Sequence, residues 1–215
     1  MPLPKAVRRL TPDAVRDNPR FRSLALGAGL IPPRTMHAPS EAAALEELAR
    51  GARVVVEIGV YEGSSALVLV HAMGPGSELH LIDPFVDESG WALPAGWGAT
   101  ETATRRVVAR AAHGGEAPEV HWHVERSQDV GRAWSARAVD FVFIDGDHSP
   151  AAVREDWDVW QRHVPEGGHV AFHDANGHSP GPSAVVDELF EGPRPVEGWT
   201  VERAVESLVV VRRGD

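Results

Sequence analysis

Val54 to Ser65 reads V-V-V-E-I-G-V-Y-E-G-S-S. Arg53 to Ile58 is short, β-branched and almost wholly apolar, which suits a strand buried on both faces of a parallel sheet. Glu57, Gly59 and Gly63 follow or close that run. Ser64-Ser65-Ala66-Leu67-Val68-Leu69 then has the residues to start a helix. Strand, glycine turn and helix N-terminus together make a cradle in which backbone can approach a ligand and free N–H groups face outward. The spacing is E-x-G-x-x-x-G, so it is not the G-x-G-x-x-G nicotinamide fingerprint, and no Lys follows the second Gly as in a P-loop. A carboxylate beside the turn suits a cationic ligand better than a pyrophosphate. Taken alone, the motif also fits an ordinary tight strand-to-helix turn.

Working outward, the apolar runs alternate with helical patterns. Expected strands are 53–58, 78–83, 119–124, 139–145, 169–174, 199–203 and 206–212. Ser40 is a candidate cap for a helix over 41–50, and further helices are expected to about Met73 and over 100–112, 128–134, 151–163 and 183–190. This βαβ alternation predicts an α/β, Rossmann-like, doubly wound fold. Its seven-stranded sheet is mostly parallel with the last strand antiparallel, and helices cover both faces. Ligands of such sheets bind at strand C-termini, at the switch point. Glu57, Asp83, Ser127, Asp145 and Asp174 all fall at expected strand ends. Asp83 lies 20 residues after Gly63. There it can accept hydrogen bonds from both hydroxyls of a ribose, or cap the next turn. Pro84 and Phe85 offer an apolar face to a base. Trp91 and Trp97 are either core plugs or walls of an acceptor pocket, and the pocket is favoured.

Bulk properties narrow the partners. The chain has 215 residues, with 31 acidic and 21 basic side chains and a net charge of -10. That length allows one domain with a full core. The charge balance does not suit a nucleic-acid or anionic-membrane binder. No apolar run is long enough to span a bilayer, and the N-terminus lacks the apolar core of a secretory signal. Cysteine is absent, which excludes disulfides and thiol chemistry. A cytoplasmic protein is expected. Residues 1–35 are rich in Pro and Arg, with one short helix expected near Pro12 to Asn18. They read as an arm folded over the site or onto a partner chain, or as a loosely packed extension. The apolar Phe21, Leu24 and Leu26 in it need covering, which suggests a homodimer.

The stretches V-V-E-I-G-V-Y-E-G-S-S, L-H-L-I-D-P-F, F-I-D-G-D-H-S, V-R-E-D-W and P-E-G-G-H-V-A-F-H-D resemble the class I S-adenosylmethionine-dependent methyltransferases. The resemblance is to the bacterial branch that includes antibiotic sugar O-methyltransferases and cephalosporin-hydroxylase-like proteins, over roughly Arg53 to Asp174. It implies residues 1–50 as an arm and helix serving as lid or oligomer contact, and 51–215 as the methyltransferase domain. It implies that Glu57, Gly59, Tyr61, Gly63, Ser64 and Ser65 cradle the methionine part of the cofactor. Asp83 would hold the ribose, Pro84 and Phe85 the base and Ser127 the adenine edge. Asp145 and His148 would approach the reacting centre. Some relatives bind Mg2+ through acids at the ends of strands four and five. Asp145 and Asp174 stand there, with Asn176 or His178 to complete a site, although His173 replaces one of two adjacent acids. A site without metal stays open.

The implied reaction is O-methylation of a small molecule, a sugar or natural-product intermediate. The alternatives are N-methylation or a non-catalytic cofactor-binding accessory protein. A hydroxyl acceptor must lose its proton as the bond forms, and His148, Asp147 and His173 are the candidate bases in that order. His148 could instead be a loop residue bonded to backbone.

Overall fold

The computed structural model describes residues 18–86, 101–135 and 137–214. Trp91, Trp97 and the helix expected near Pro12 to Asn18 lie outside the described residues, apart from Asn18, which precedes the first described helix. In chain order the elements are α1 (Pro19–Gly27), α2 (Pro39–Ala49), β1 (Val54–Ile58), α3 (Ser64–Ala72), β2 (Glu78–Ile82), α4 (Glu101–Ala111), β3 (Glu119–His123) and α5 (Ser127–Ala133). There follow β4 (Phe141–Ile144), α6 (Pro150–Trp160), β5 (His169–Phe172), α7 (Pro180–Val186), β6 (Trp199–Val205) and β7 (Leu208–Arg213).

The seven strands form one sheet in the order β3-β2-β1-β4-β5-β7-β6. β1 to β5 pair in parallel. β7 is antiparallel to both β5 and β6, so six strands run one way and only the last opposes them. Every residue of β1 is buried, as its unbroken apolar character requires. Alternate β1 residues feed two cores. Val54, Val56 and Ile58 pack with Val130, Val153, Trp157, Trp160 and Val185 from α5, α6 and α7. Val55 packs on the other face with Leu45, Ala66, Leu69 and Val108 from α2, α3 and α4. The expected doubly wound sheet is therefore present.

Element ends differ from expectation in ways that matter at the rim. The strands stop at Ile82, Ile144 and Phe172. Asp83, Asp145 and Asp174 therefore stand just beyond them in loops, while Glu57 lies inside β1. The start of α2 is also different. Ala38 is its N-cap and Pro39 opens it. Glu41, three residues on, reaches back to the Ala38 N–H at 2.6 Å. Ser40 is inside the helix and its hydroxyl faces Glu206 instead.

The N-terminal segment is packed onto the domain. Leu26 is fully buried against Ala103 and Val107 of α4, whereas Phe21 and Leu24 are exposed. Arg110 of α4 donates to the carbonyls of Leu26 and Gly27 at 2.9 and 2.8 Å, satisfying the end of α1. Arg22 makes a two-pronged ion pair with Glu62, which is fully buried in the glycine turn. The Arg34 N–H donates to the same carboxylate at 2.7 Å, and its guanidinium reaches the Tyr61 hydroxyl at 3.2 Å. Among the described residues no helix is long and apolar enough to cross a membrane.

Removing Arg22 takes the two-pronged partner from a fully buried carboxylate and leaves it the longer Arg34 contact at 3.6 Å and one backbone N–H. Arg22→Ala is expected to destabilise the fold by about 3 kcal/mol, measured by urea denaturation. The double variant Arg22→Ala/Glu62→Gln should recover part of that loss, and an Arg22→Ala protein as stable as the parent would contradict the assignment.

Candidate active site

The order β2-β1-β4 marks the point where successive connections turn in opposite directions, so the exits of β1 and β4 splay and open a crevice. The chain turns there on Gly59, at φ +86. A Cβ at Gly59 would lie 2.1 Å from the Asp145 carbonyl oxygen and 2.8 Å from the Gly146 Cα. Only glycine fits both the left-handed backbone and that approach. Gly63 caps α3 in the same left-handed region, and Thr104 and Val108 of α4 pack against it. Thr104 also donates to the Tyr61 carbonyl at 2.9 Å.

Glu57 sits beneath this turn with no solvent exposure. The Ser65 hydroxyl donates to its Oε1, and Oε2 has no hydrogen-bond partner among the described residues. Burial pushes its carboxyl well above the ordinary carboxylate range, against the Ser65 bond, and the charges of Asp145 and Asp83 push the same way. An orphaned buried oxygen next to a first helical turn is a prepared contact for a cationic group.

Asp83 takes up the turn-capping role that its position allowed. Its Oδ2 accepts the N–H groups of Val60 and Tyr61 at 2.9 and 3.0 Å, and its Oδ1 accepts that of Phe85 at 2.7 Å. The carboxylate thus holds the glycine turn in place and retains roughly one free lone pair. That suffices for one hydroxyl rather than two. Phe85 is buried beside it, at φ +51, and Pro84 is half-buried.

Ser127 opens α5 and is buried. Its hydroxyl donates to Asp156 of α6, and Gln128 Nε2 donates to the same oxygen at 2.7 Å. Asp156 was not anticipated from the sequence. Burial raises its carboxyl from the ordinary 3.8 to about 7, against the Ser127 bond. The available signal was a lone acid on the face of α6 that otherwise buries Val153, Trp157 and Trp160.

The second half of the rim is a histidine set among carboxylates. His173, just past β5, has Nδ1 at 3.0 Å from Asp145 Oδ1 and 3.6 Å from Asp174 Oδ2. Its Nε2 faces Glu41 Oε2 at 3.5 Å. Burial alone would lower its pKa, but the hydrogen bonds and charges of Asp145 and Asp174 raise it to about 10. The two acids thus favour the imidazolium form of His173, which disfavours it as a base relative to His148. Glu41 was also missed, since its helical spacing gave no sign of a site. Burial works against its charge. Bonds from the Ser207 hydroxyl and the N–H groups of Ala38 and Ser207, with the His173 charge, still hold its carboxyl low.

His148 lies on the β4 exit loop, part-exposed, with Nε2 at 3.6 Å from Asp145 Oδ1 and 3.5 Å from Asp174 Oδ2. Contact with Asp145 raises its pKa against the effect of burial. Gly181 at the start of α7 lets that helix abut the loop, because a Cβ there would lie 1.9 Å from the His148 carbonyl oxygen. The Asp147 carboxylate accepts the Ser149 N–H at 2.7 Å in a local turn. Asn176 is likewise committed elsewhere, donating to the Glu206 carbonyl at 2.7 Å. At this rim, among the described residues, the donor atoms of Asp145, His148 and Asp174 converge closely enough for one cation. His148 joins the two expected acids, and His178 Nε2 also lies 3.5 Å from Asp174 Oδ1. One imidazole with two carboxylates fits a divalent transition metal better than Mg2+.

Comparison with known proteins bears on the family and the fold. Residues 56–175 match the family model described as a methyltransferase domain. No sequence match among curated proteins reaches significance. The O-methyltransferase TomG from Streptomyces achromogenes, involved in tomaymycin synthesis and solved with S-adenosylmethionine, aligns with 93% of this chain and 91% of its own. Its TM-score is 0.62 at 21% identity. The O-methyltransferase NovP aligns with 95% and 89%, TM-score 0.65, 16% identity. An O-methyltransferase from Bacillus cereus, solved with S-adenosylhomocysteine, aligns with 97% and 96%, TM-score 0.57, 18% identity. These likenesses establish the shared fold.

Asp156 carries a pH signature. Its folded-state pKa is raised, so its contribution is fully present below the ordinary 3.8 and is lost as pH rises to about 7. Asp156→Asn should remove that loss. The variant's stability relative to the parent should therefore climb across that window in urea melts. A flat difference would mean that Asp156 titrates normally.

Proposed function

The chain belongs to the methyltransferase-domain family, and on that premise we propose that it transfers a methyl group from S-adenosylmethionine to a hydroxyl of a small molecule, a sugar or natural-product intermediate. One observation carries the reading. Glu57, the Gly59 turn, Asp83, Asp145 and His148, far apart in sequence, meet along one rim at the β1/β4 switch point. The pairing of TomG and NovP with O-methyl transfer supports oxygen as the target.

The residues fit the cofactor. The orphaned Glu57 Oε2 suits its ammonium or sulfonium charge, and the Gly59–Ser65 turn suits its methionine part. Asp83 has a lone pair for one ribose hydroxyl, Pro84 and Phe85 an apolar face for the base, and Ser127 with Gln128 and Asp156 a polar adenine edge. Bound S-adenosylmethionine supplies an electrophilic methyl and a neutral thioether leaving group.

The protein's part is alignment and proton removal. His148 Nε2 takes the acceptor proton as the new O–C bond forms, and Asp145 and Asp174 stabilise the resulting imidazolium. The His173 cation offsets one of the three negative charges that Asp145, Asp174 and Glu41 bring to the site. With a divalent ion held by Asp145, His148 and Asp174, His148 would serve as a ligand instead of the base and the ion would acidify the acceptor hydroxyl, so the two routes are alternatives. The N-terminal arm and helix serve as a lid or an oligomer contact; for residues 18–50 the grip of Arg22 and Arg34 on Glu62 and Tyr61 supports the lid. The exposed Phe21 and Leu24 are the surface a homodimer would cover.

Calorimetric titration with S-adenosylmethionine should show binding that releases a proton, because a cationic ligand forces Glu57 to ionise. Repeating it in buffers of different ionisation enthalpy measures that proton, and Glu57→Gln should abolish it. No heat at millimolar ligand would remove the proposal.

A panel of hydroxyl and amine acceptors followed by product mass spectrometry identifies the substrate. With it, His148→Ala should lower kcat by about 10²–10⁴-fold while leaving cofactor affinity near the parent value. The parent rate should rise with pH through a pKa above the ordinary 6.5. Undiminished turnover in the variant would displace His148 as base.

A further inference from the structure

A second cluster of metal-ligating side chains lies away from the rim, on the sheet face covered by α5 and α6. β2 and β3 pair so that His80 stands beside His121 and Ile82 beside His123. The three imidazoles stack, with ring centroids 4.6 Å apart for His80 and His121 and 5.3 Å for His80 and His123. Trp134 closes the stack edge-on to His80 at 4.7 Å. Stacked histidines on adjacent strands bury polar nitrogens at a cost unless something satisfies them. His80 is 6% exposed. Its Nε2 and that of His121 are shut off from solvent with no hydrogen-bond partner among the described residues, although His121 Nε2 lies 3.6 Å from Glu119 Oε1. Both nitrogens, and a carboxylate oxygen of Glu78, lie within 4.8 Å of one another.

We propose that Glu78, His80 and His121 form a binding site for a zinc-class divalent transition metal, separate from the rim. Three observations carry it. First, the two orphaned nitrogens and the acid converge on one point. Second, Glu78 Oε2 lies 3.5 Å from His80 Nε2, and two donors at 2.0–2.1 Å from a tetrahedral zinc stand about 3.4 Å apart. Third, His80 is oriented for the task. Its Nδ1 is 3.0 Å from His123 Nε2. With Nδ1 donating there, the Nε2 lone pair faces the cluster, the partner arrangement that metal-bound histidines use. Two imidazoles and a carboxylate with one position left for solvent is a zinc donor set, and the nitrogens disfavour magnesium and calcium. Arg137 Nη1 approaches the other Glu78 oxygen at 3.7 Å from the solvent side, leaving Oε2 for the ion. β3 is the edge strand of the sheet. A metal bridging His80 and His121 would staple that edge to β2.

The test uses the full chain, stripped with chelator and re-dialysed against zinc. His148→Ala is the background, which disables the other converging donor set. One zinc per chain is expected by elemental analysis, with a tetrahedral visible spectrum when Co2+ is substituted. The melting midpoint should rise by about 5–10 °C at free zinc one hundred times its dissociation constant. Adding His121→Ala, at a part-exposed position, or Glu78→Gln should abolish all three. Loss of the bound zinc by His148→Ala alone, zinc retained by the His121→Ala protein, or no zinc in the parent would overturn the assignment.

Discussion

The structure depends on the contact between Gly59 and the Asp145 carbonyl. Two parallel strands whose chains leave in opposite directions must pass within a backbone's width before they diverge. A side chain at residue 59 would occupy the space of the Asp145 carbonyl itself. That constraint fixes the left-handed turn, the turn places the first residues of α3, and α3 brings Ser65 onto Glu57. Asp83 then pins the turn from the neighbouring strand through two backbone N–H groups. The crevice is the space left over when these backbone demands are met.

Charge is arranged around that crevice in two different ways. Beneath the turn, Glu57 is buried with one oxygen unmet, and desolvation favours its neutral form until a cation arrives. Across the rim, Asp145, Asp174 and Glu41 surround His173, and the acids favour the protonated imidazole. One half of the site waits for positive charge; the other carries its own. In the proposed reading this division separates the cofactor's place from the acceptor's. It leaves His148, part-exposed and touching two carboxylates, as the base.

The N-terminal segment joins this system from outside the sheet. Arg22 and Arg34 converge on Glu62, and α1 lies on α4, which itself packs on Gly63. The glycine turn is therefore braced from three sides: by Asp83, by Thr104 and by the arm. A turn held so firmly places the start of α3 beside the crevice without first having to be ordered.

The amino-acid sequence by itself determined the strand order along the chain, the buried β1, the glycine turn and the acids at the strand ends. Each of these is a local demand: periodicity sets burial, and positive φ sets glycine. The partners of those acids were decided only by the tertiary structure. Asp83 spends three of its acceptor sites on backbone, Asp147 caps its own loop, and Asn176 bonds the Glu206 carbonyl. Glu41 joins His173 although 132 positions separate them in the chain. Asp156 reaches Ser127 from another helix. The physical reason is that a polar side chain's role is set by which donors and acceptors packing brings within about 3 Å of it. Those neighbours come from distant segments, whose approach no local pattern encodes.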